Sequence, residues 1–169
     1  IIEGRENIGG TWDLFKYPGI RSDSDMFTLG YAFKPWKEQK AIANGPSILN
    51  YLEETVRENN LREKIKFSHK VLSANWNSDN CQWEIKASHH EKEIFFTSNF
   101  LFMGTGYYNY DEGYTPDFVD LDKYKGKLIH PQKWPEDYDY ANKRITVIGS
   151  GATAATIVPE LSKKAKHVT

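Results

Sequence analysis

Arg144-Ile145-Thr146-Val147-Ile148-Gly149-Ser150-Gly151-Ala152-Thr153-Ala154 is the stretch whose reading decides the fold. Its first five residues are rich in β-branched apolar side chains and predict a buried strand over 144–148. The next six read G-x-G-x-x-A and lead into a helix predicted to run to about residue 164. The first glycine permits a tight turn, and the second lets backbone approach a pyrophosphate. The small third residue lets the helix pack closely on the strand, and the helix N-terminus faces the phosphates. Gly149, Ser150, Gly151, Ala152, Thr153 and Ala154 are therefore candidate dinucleotide contacts, with a plain glycine-rich turn as the competing reading. Pro159 removes one helical hydrogen bond, to Ala155, and predicts a local kink. Residues 166–169 read as the opening of a further strand.

Working outward, residues 107–142 are irregular and aromatic. A strand is predicted over 99–103, ending at Gly104-Thr105-Gly106. Before it, strands over 70–76 and 82–87 flank the turn Asn77-Ser78-Asp79-Asn80, and a third over 93–97 follows His89-His90, giving a β-meander. Residues 65–67 form a short strand. Gly45-Pro46 opens a helix to about residue 60, with Ile48, Leu49, Leu52 and Val56 on one face. Residues 7–36 hold Gly, Pro, Asp and aromatics without a period, and predict a long ordered loop of the kind that carries function. Glu3 closes what reads as a strand, where an acidic residue binds the ribose hydroxyls of a dinucleotide. Its matching glycine turn would lie roughly 20 residues upstream. The first and last residues both read as interior to strands, so the expectation is a piece of a longer chain.

Composition narrows the classes. In 169 residues there are nine Phe, ten Tyr and five Trp, too many for a disordered chain. A net charge of −1 argues against nucleic acid or an anionic membrane as a bulk partner. A single Cys, Cys81, excludes a disulfide framework and a cysteine zinc site. His89-His90 lacks a third metal ligand at suitable spacing, and solvent exposure at a hairpin is expected; no metal is predicted. No apolar run approaches the roughly 18 residues of a membrane helix, and no leader is evident, so a soluble, cytoplasmic protein without membrane association is expected.

Three further patterns act together. Gly9-Gly10-Thr11-Trp12, followed by Tyr17-Pro18-Gly19-Ile20-Arg21-Ser22-Asp23, resembles the flavin-contacting segment of flavin-dependent monooxygenases. Tyr124-x-Gly126-x-x-x-His130-x-x-x-Trp134-Pro135 resembles their fingerprint F-x-G-x-x-x-H-x-x-x-W-P, with Tyr124 in place of Phe. The Trp-Pro ending is that of the Baeyer–Villiger branch. Gly104-Thr105-Gly106 is similar to the family's A-T-G hinge, with Gly104 in place of Ala. The resemblance covers essentially the whole chain and is nearest to the bacterial subgroup of ethionamide-activating monooxygenases.

The resemblance implies an α/β flavoprotein with two Rossmann-like dinucleotide-binding domains, the NADPH domain inserted into the FAD domain. Residues 1–140 would belong to the FAD domain, with the linker fingerprint at 124–135, and 141–169 would begin the NADPH domain. NADPH would reduce FAD, and the reduced flavin with O₂ would give a C4a-peroxide that oxidises a ketone, a thioether or a thioamide. By family position Glu3 would hold the FAD ribose. Gly9, Gly10, Thr11, Trp12, Asp13 and Leu14 would line the flavin, joined by Arg21 and Ser22, and Val71 would contact the adenine side through its backbone. Asp23 is the candidate catalytic residue, near the reacting flavin face, where a carboxylate holds a cationic partner. The family's active-site Arg has no counterpart among these residues. His130 reads either as a base or, from its linker position, as a residue that couples the domains, and Trp134 as a packing anchor. Preference for NADPH over NADH rests on the resemblance. A redox protein or reductase on a related fold is the alternative; its disulfide-exchanging form needs paired cysteines. An inactive fragment is a further alternative.

Overall fold

Strand pairing is densest in the middle of the chain. In the computed structural model, which describes residues 1–169, β1 (Lys70–Asn77), β2 (Gln82–His89) and β3 (Lys92–Ser98) form the expected antiparallel meander. Register is set at Trp76↔Trp83 and Ile85↔Phe96, and it slips between Val71 and Ser73, a bulge that leaves Leu72 extra. The first turn closes because Asn77 Oδ1 accepts the amides of Asp79 and Asn80 at 3.0 and 3.2 Å. Ile85 and Ala87 are the buried residues of the central strand. His89 is half-buried, its ring stacked on His69 at 4.2 Å, rather than exposed as the hairpin position predicts. Ile2 bridges Lys66 in parallel, all that forms of the short strand expected at 65–67.

Helix α3 (Gly45–Glu58) begins where expected, because Asn44 Oδ1 accepts the Ser47 amide at 2.8 Å. Its most buried face is Ile48, Tyr51 and Thr55; Leu49, Leu52 and Val56 are half-buried. Within the irregular stretch 7–36 lie two single-turn helices, α1 (Thr11–Leu14) and α2 (Met26–Leu29). Asp25 caps α2 by accepting the Thr28 amide at 2.9 Å.

At the C-terminal end β4 (Arg144–Ile145), α4 (Ala152–Leu161) and β5 (His167–Val168) make a βαβ unit, with β4 and β5 parallel. This is the strand–turn–helix–strand order expected from 144–169. The strand is shorter than expected and is not buried: Val147 still donates to Thr169 O at 2.8 Å, but Ile148 is exposed. Among the strands only β5 pairs with β4. The strand expected at 99–103 does not form. Phe100, Phe102 and Met103 are exposed, and no ladder partner lies beside them. Helix α4 runs through Pro159 and ends at Leu161, three residues before the expected position.

Contacts divide the chain into two compact units, Ile1–Ile8 with Leu52–Tyr107, and Gly9–Tyr51 with Tyr108–Thr169. Compactness thus follows a different line from the cofactor-based boundary at residue 140. In the second unit the buried cluster is Phe15, Tyr17, Ile157 and Leu161, with Leu14, Ile20, Trp134, Tyr140, Ile145, Val147, Val158 and Val168 against it. Its members come from the segment after α1, from the aromatic linker and from the whole βαβ unit.

Candidate functional site

The glycine turn has the shape the G-x-G-x-x-A pattern requires. Gly149 has φ +141°, a conformation that disfavours any side chain. Gly151 is the N-cap of α4, in extended conformation at φ −80°. No atom lies within 4 Å of where a Cβ on Gly149 or Gly151 would stand. The turn is therefore open on the side a ligand would occupy, and the ten-residue helix α4 presents its first-turn amides there. Ser150 and Ala152 are exposed, and Thr153 and Ala154 are half-buried. The fit to a pyrophosphate is good: donors, a positive dipole end and free space coincide.

The segment carrying the flavin-type motif is held differently. Trp12 and Asp13 donate to the carbonyls of Gly9 and Gly10 at 2.9 and 3.2 Å, which winds α1. Thr11 Oγ1 lies 3.3 Å from the Tyr110 hydroxyl, and Phe15 meets the edge of Tyr108 at 5.0 Å. The aromatic loop after Gly106 thus closes over residues 10–15. Gly10, Thr11, Trp12, Asp13 and Leu14 are half-buried. Ser22 is buried, with its hydroxyl accepting the Ala43 amide at 3.1 Å, so its side chain serves the scaffold. Arg21 and Asp23 are exposed. In the other unit Glu3 is half-buried, with Oε1 accepting the Arg5 amide at 2.8 Å. A carboxylate so oriented keeps acceptor capacity for ribose hydroxyls. Val71 is exposed beside the β1 bulge.

The fingerprint folds into a 3₁₀ turn, Pro131–Lys133, capped by His130. His130 Nδ1 accepts the Gln132 amide at 3.2 Å, so a neutral His130 carries its proton on Nε2. Its ring lies directly against Gly113, where any Cβ would overlap it. Gln132 is buried and donates through Nε2 to Asn109 O at 2.7 Å. Trp134 meets Tyr138 and Tyr140 edge-on at 5.9 and 6.1 Å and reaches the buried cluster. Tyr124 is exposed, its phenol folded against Gly126, and Pro135 is half-buried.

The structure therefore brings the flavin-type segment, the fingerprint and helix α4 onto one core. It also adds residues that sequence reading passed over: Thr156, which meets Tyr17 and Gly19 at the seam, Tyr110 over α1, and Gly113 and Gln132 around His130. The density of Tyr at 107–114 was the one available signal for Tyr110; the others depend on contacts between distant segments.

Residues 29–169 match the family model "Flavin-binding monooxygenase-like". The chain is 55% identical over its full length to the FAD-containing monooxygenase EthA of Mycolicibacterium smegmatis, covering 35% of that protein. It is also 55% identical to the probable FAD-binding monooxygenase AlmA of Acinetobacter baylyi, covering 34% of it. Among solved structures, an oxidised steroid monooxygenase bound to NADP superposes with a TM-score of 0.82 at 29% identity, over 99% of this chain and 32% of that one. The chain spans about a third of the length of these relatives. With the open glycine turn, the βαβ unit and the meander in the family's order, the chain belongs to the flavin-binding monooxygenase-like family.

Proposed function

We propose that the complete protein carrying this chain is a cytosolic FAD- and NADPH-dependent monooxygenase. Its substrates would be small ketones, converted to esters, or thioethers and thioamides, oxidised at sulfur. The observation that carries this reading is the shared core: Phe15 and Tyr17 of the flavin-type segment and Ile157 and Leu161 of the dinucleotide helix are buried together. One compact unit thus holds the flavin-type segment and the glycine turn, which supports the reading. No helix is long and apolar enough to cross a membrane.

In this reading FAD, when bound, supplies the electron transfer and the oxygen chemistry. The chain's own residues bind and orient. Glu3 accepts the ribose hydroxyls of FAD, and Val71 offers its backbone to the adenine side. Residues 9–14 line the flavin, Arg21 and Ser22 support that wall, and the exposed Asp23 holds a cationic partner near the reacting face. Residues 141–169 open the NADPH domain. There Gly149, Ser150, Gly151, Ala152, Thr153 and Ala154 receive the NADPH pyrophosphate. Tyr124, Gly126, His130, Trp134 and Pro135 link the two cofactor regions. For a ketone the balance is ketone, O₂, NADPH and a proton to ester, NADP⁺ and water.

The test is expression of the complete reading frame that contains this chain. The expected result is a yellow protein whose NADPH oxidation is stimulated by cyclohexanone or by methyl phenyl sulfide, with one atom of ¹⁸O₂ recovered in the ester or sulfoxide. Flavin reduction by NADPH with all oxygen returned as hydrogen peroxide, whatever the substrate offered, would support the reductase alternative instead.

A further inference from the structure

We infer that Tyr17 and Thr156 form a positioning contact that sets helix α4, and with it the dinucleotide turn, against the flavin-side segment; this rests on the function proposed above. Three observations meet at Thr156. Its hydroxyl lies 3.2 Å from the Tyr17 hydroxyl, with both residues buried. The same oxygen is 3.0 Å from the carbonyls of Ala152 and Thr153, the first turn of α4. Its backbone carbonyl lies 2.5 Å from where a Cβ on Gly19 would stand, and Gly19 has φ +85°.

The proton count orders the network. A threonine hydroxyl has one proton and two lone pairs. Thr156 spends its proton on a first-turn carbonyl, and the Tyr17 phenol donates to Thr156. The contact is therefore directional: Tyr17, three residues beyond α1, donates through Thr156 to the turn of α4 that begins at the glycine cradle. The Pro18-Gly19 turn, with no side chain at Gly19, lets the segment sit against the α4 backbone at Thr156. Buried in a cluster of Phe15, Ile157 and Leu161, the pair is shielded from water, so losing one partner leaves the other unsatisfied.

Neither hydroxyl belongs to the cradle itself, which is built from residues 149–154. The contact governs where the cradle stands relative to the flavin wall rather than how tightly it grips. A misplacement of about 1 Å is enough to slow a transfer that needs close approach. The expected signature is a loss in rate at saturating NADPH with affinity retained.

The experiment uses the complete holoenzyme, with anaerobic flavin reduction by NADPH followed by absorbance. Tyr17→Phe and Thr156→Val are each expected to lower the limiting reduction rate at least fivefold, with the dissociation constant for NADPH changed less than twofold. Thr156→Ser keeps the hydroxyl and is expected within twofold of the parent. The double variant is expected to be no slower than the slower single one, since both remove the same contact. Without any cofactor, hydrogen exchange of the hydrogen-bonded α4 amides at Thr156 and Ile157 is expected to rise at least fivefold in Tyr17→Phe while β1–β3 amides stay unchanged. A parent protein that is not reduced by NADPH would overturn the proposed function and this inference with it. A parent that is reduced, with Tyr17→Phe reduced at the same rate, or with the loss expressed in affinity, or with Thr156→Ser as slow as Thr156→Val, would overturn this inference alone.

Discussion

Two glycines illustrate how differently one residue type acts in this chain. Gly151 has open space beyond its Cα and an ordinary φ of −80°, so the fold accepts a methyl group there. Gly151→Ala is expected to leave the thermal midpoint unchanged and to raise the KM for NADPH about tenfold, about 1.4 kcal/mol, because the methyl occupies the pyrophosphate position. Steady-state kinetics on the complete protein beside a melting curve checks both halves. Gly19 is the reverse case: φ is +85° and Thr156 O stands 2.5 Å from the new Cβ. Gly19→Ala is expected to destabilise by about 2 kcal/mol or more through strain and overlap, read as a lowered denaturant midpoint. Asp25 gives a residue-scale pH dependence. The Thr28 amide and hydroxyl hold its carboxyl below the ordinary aspartate value of 3.8. A depressed folded value means that the cap of α2 is complete above pH 3.8 and is lost as pH falls through the lower folded value. Titration of Asp25 by NMR is expected to show a midpoint below 3.8, with the Thr28 amide shifting in step.

At the scale of elements, the 3₁₀ turn Pro131–Lys133 carries the fingerprint, and His130 is its cap. His130→Ala removes the acceptor for the Gln132 amide, at a cost of about 1 kcal/mol by analogy with helix caps. In the complete protein it is expected to slow NADPH oxidation or divert oxygen to hydrogen peroxide while flavin content stays normal. His130→Asn restores an acceptor, so stability is expected to recover without coupling; loss of flavin in either variant would count against the linker role. Helix α3 and the meander were legible in the sequence because their signals are local: Gly45-Pro46 with apolar spacing, and an Asn-rich turn between alternating strands. The strands at 99–103 and 144–148 were overestimated for one reason. An apolar run states only that a segment suits a sheet, and a strand forms only as far as a neighbouring strand pairs with it.

Over the whole molecule, the apolar side chains of Phe100, Phe102 and Met103 stand exposed within one short segment. Patches of this kind drive association. The 169-residue chain is expected to self-associate with rising concentration in light scattering, and Phe100→Ser with Phe102→Ser to reduce it; a monodisperse monomer at high concentration would contradict this. Sequence alone determined the βαβ unit, the meander and the positions of the glycine turn and the Trp-Pro fingerprint. Each depends on residues within one turn, one period or one short spacing of each other. Tertiary structure alone decided that Tyr17 meets Thr156, that Gly19 sits against the α4 backbone, that His130 rests on Gly113, and that the Ser22 hydroxyl is taken by Ala43. These contacts join segments from 17 to 139 residues apart, or place side chains by packing, and no local propensity encodes which distant atom fills a given space.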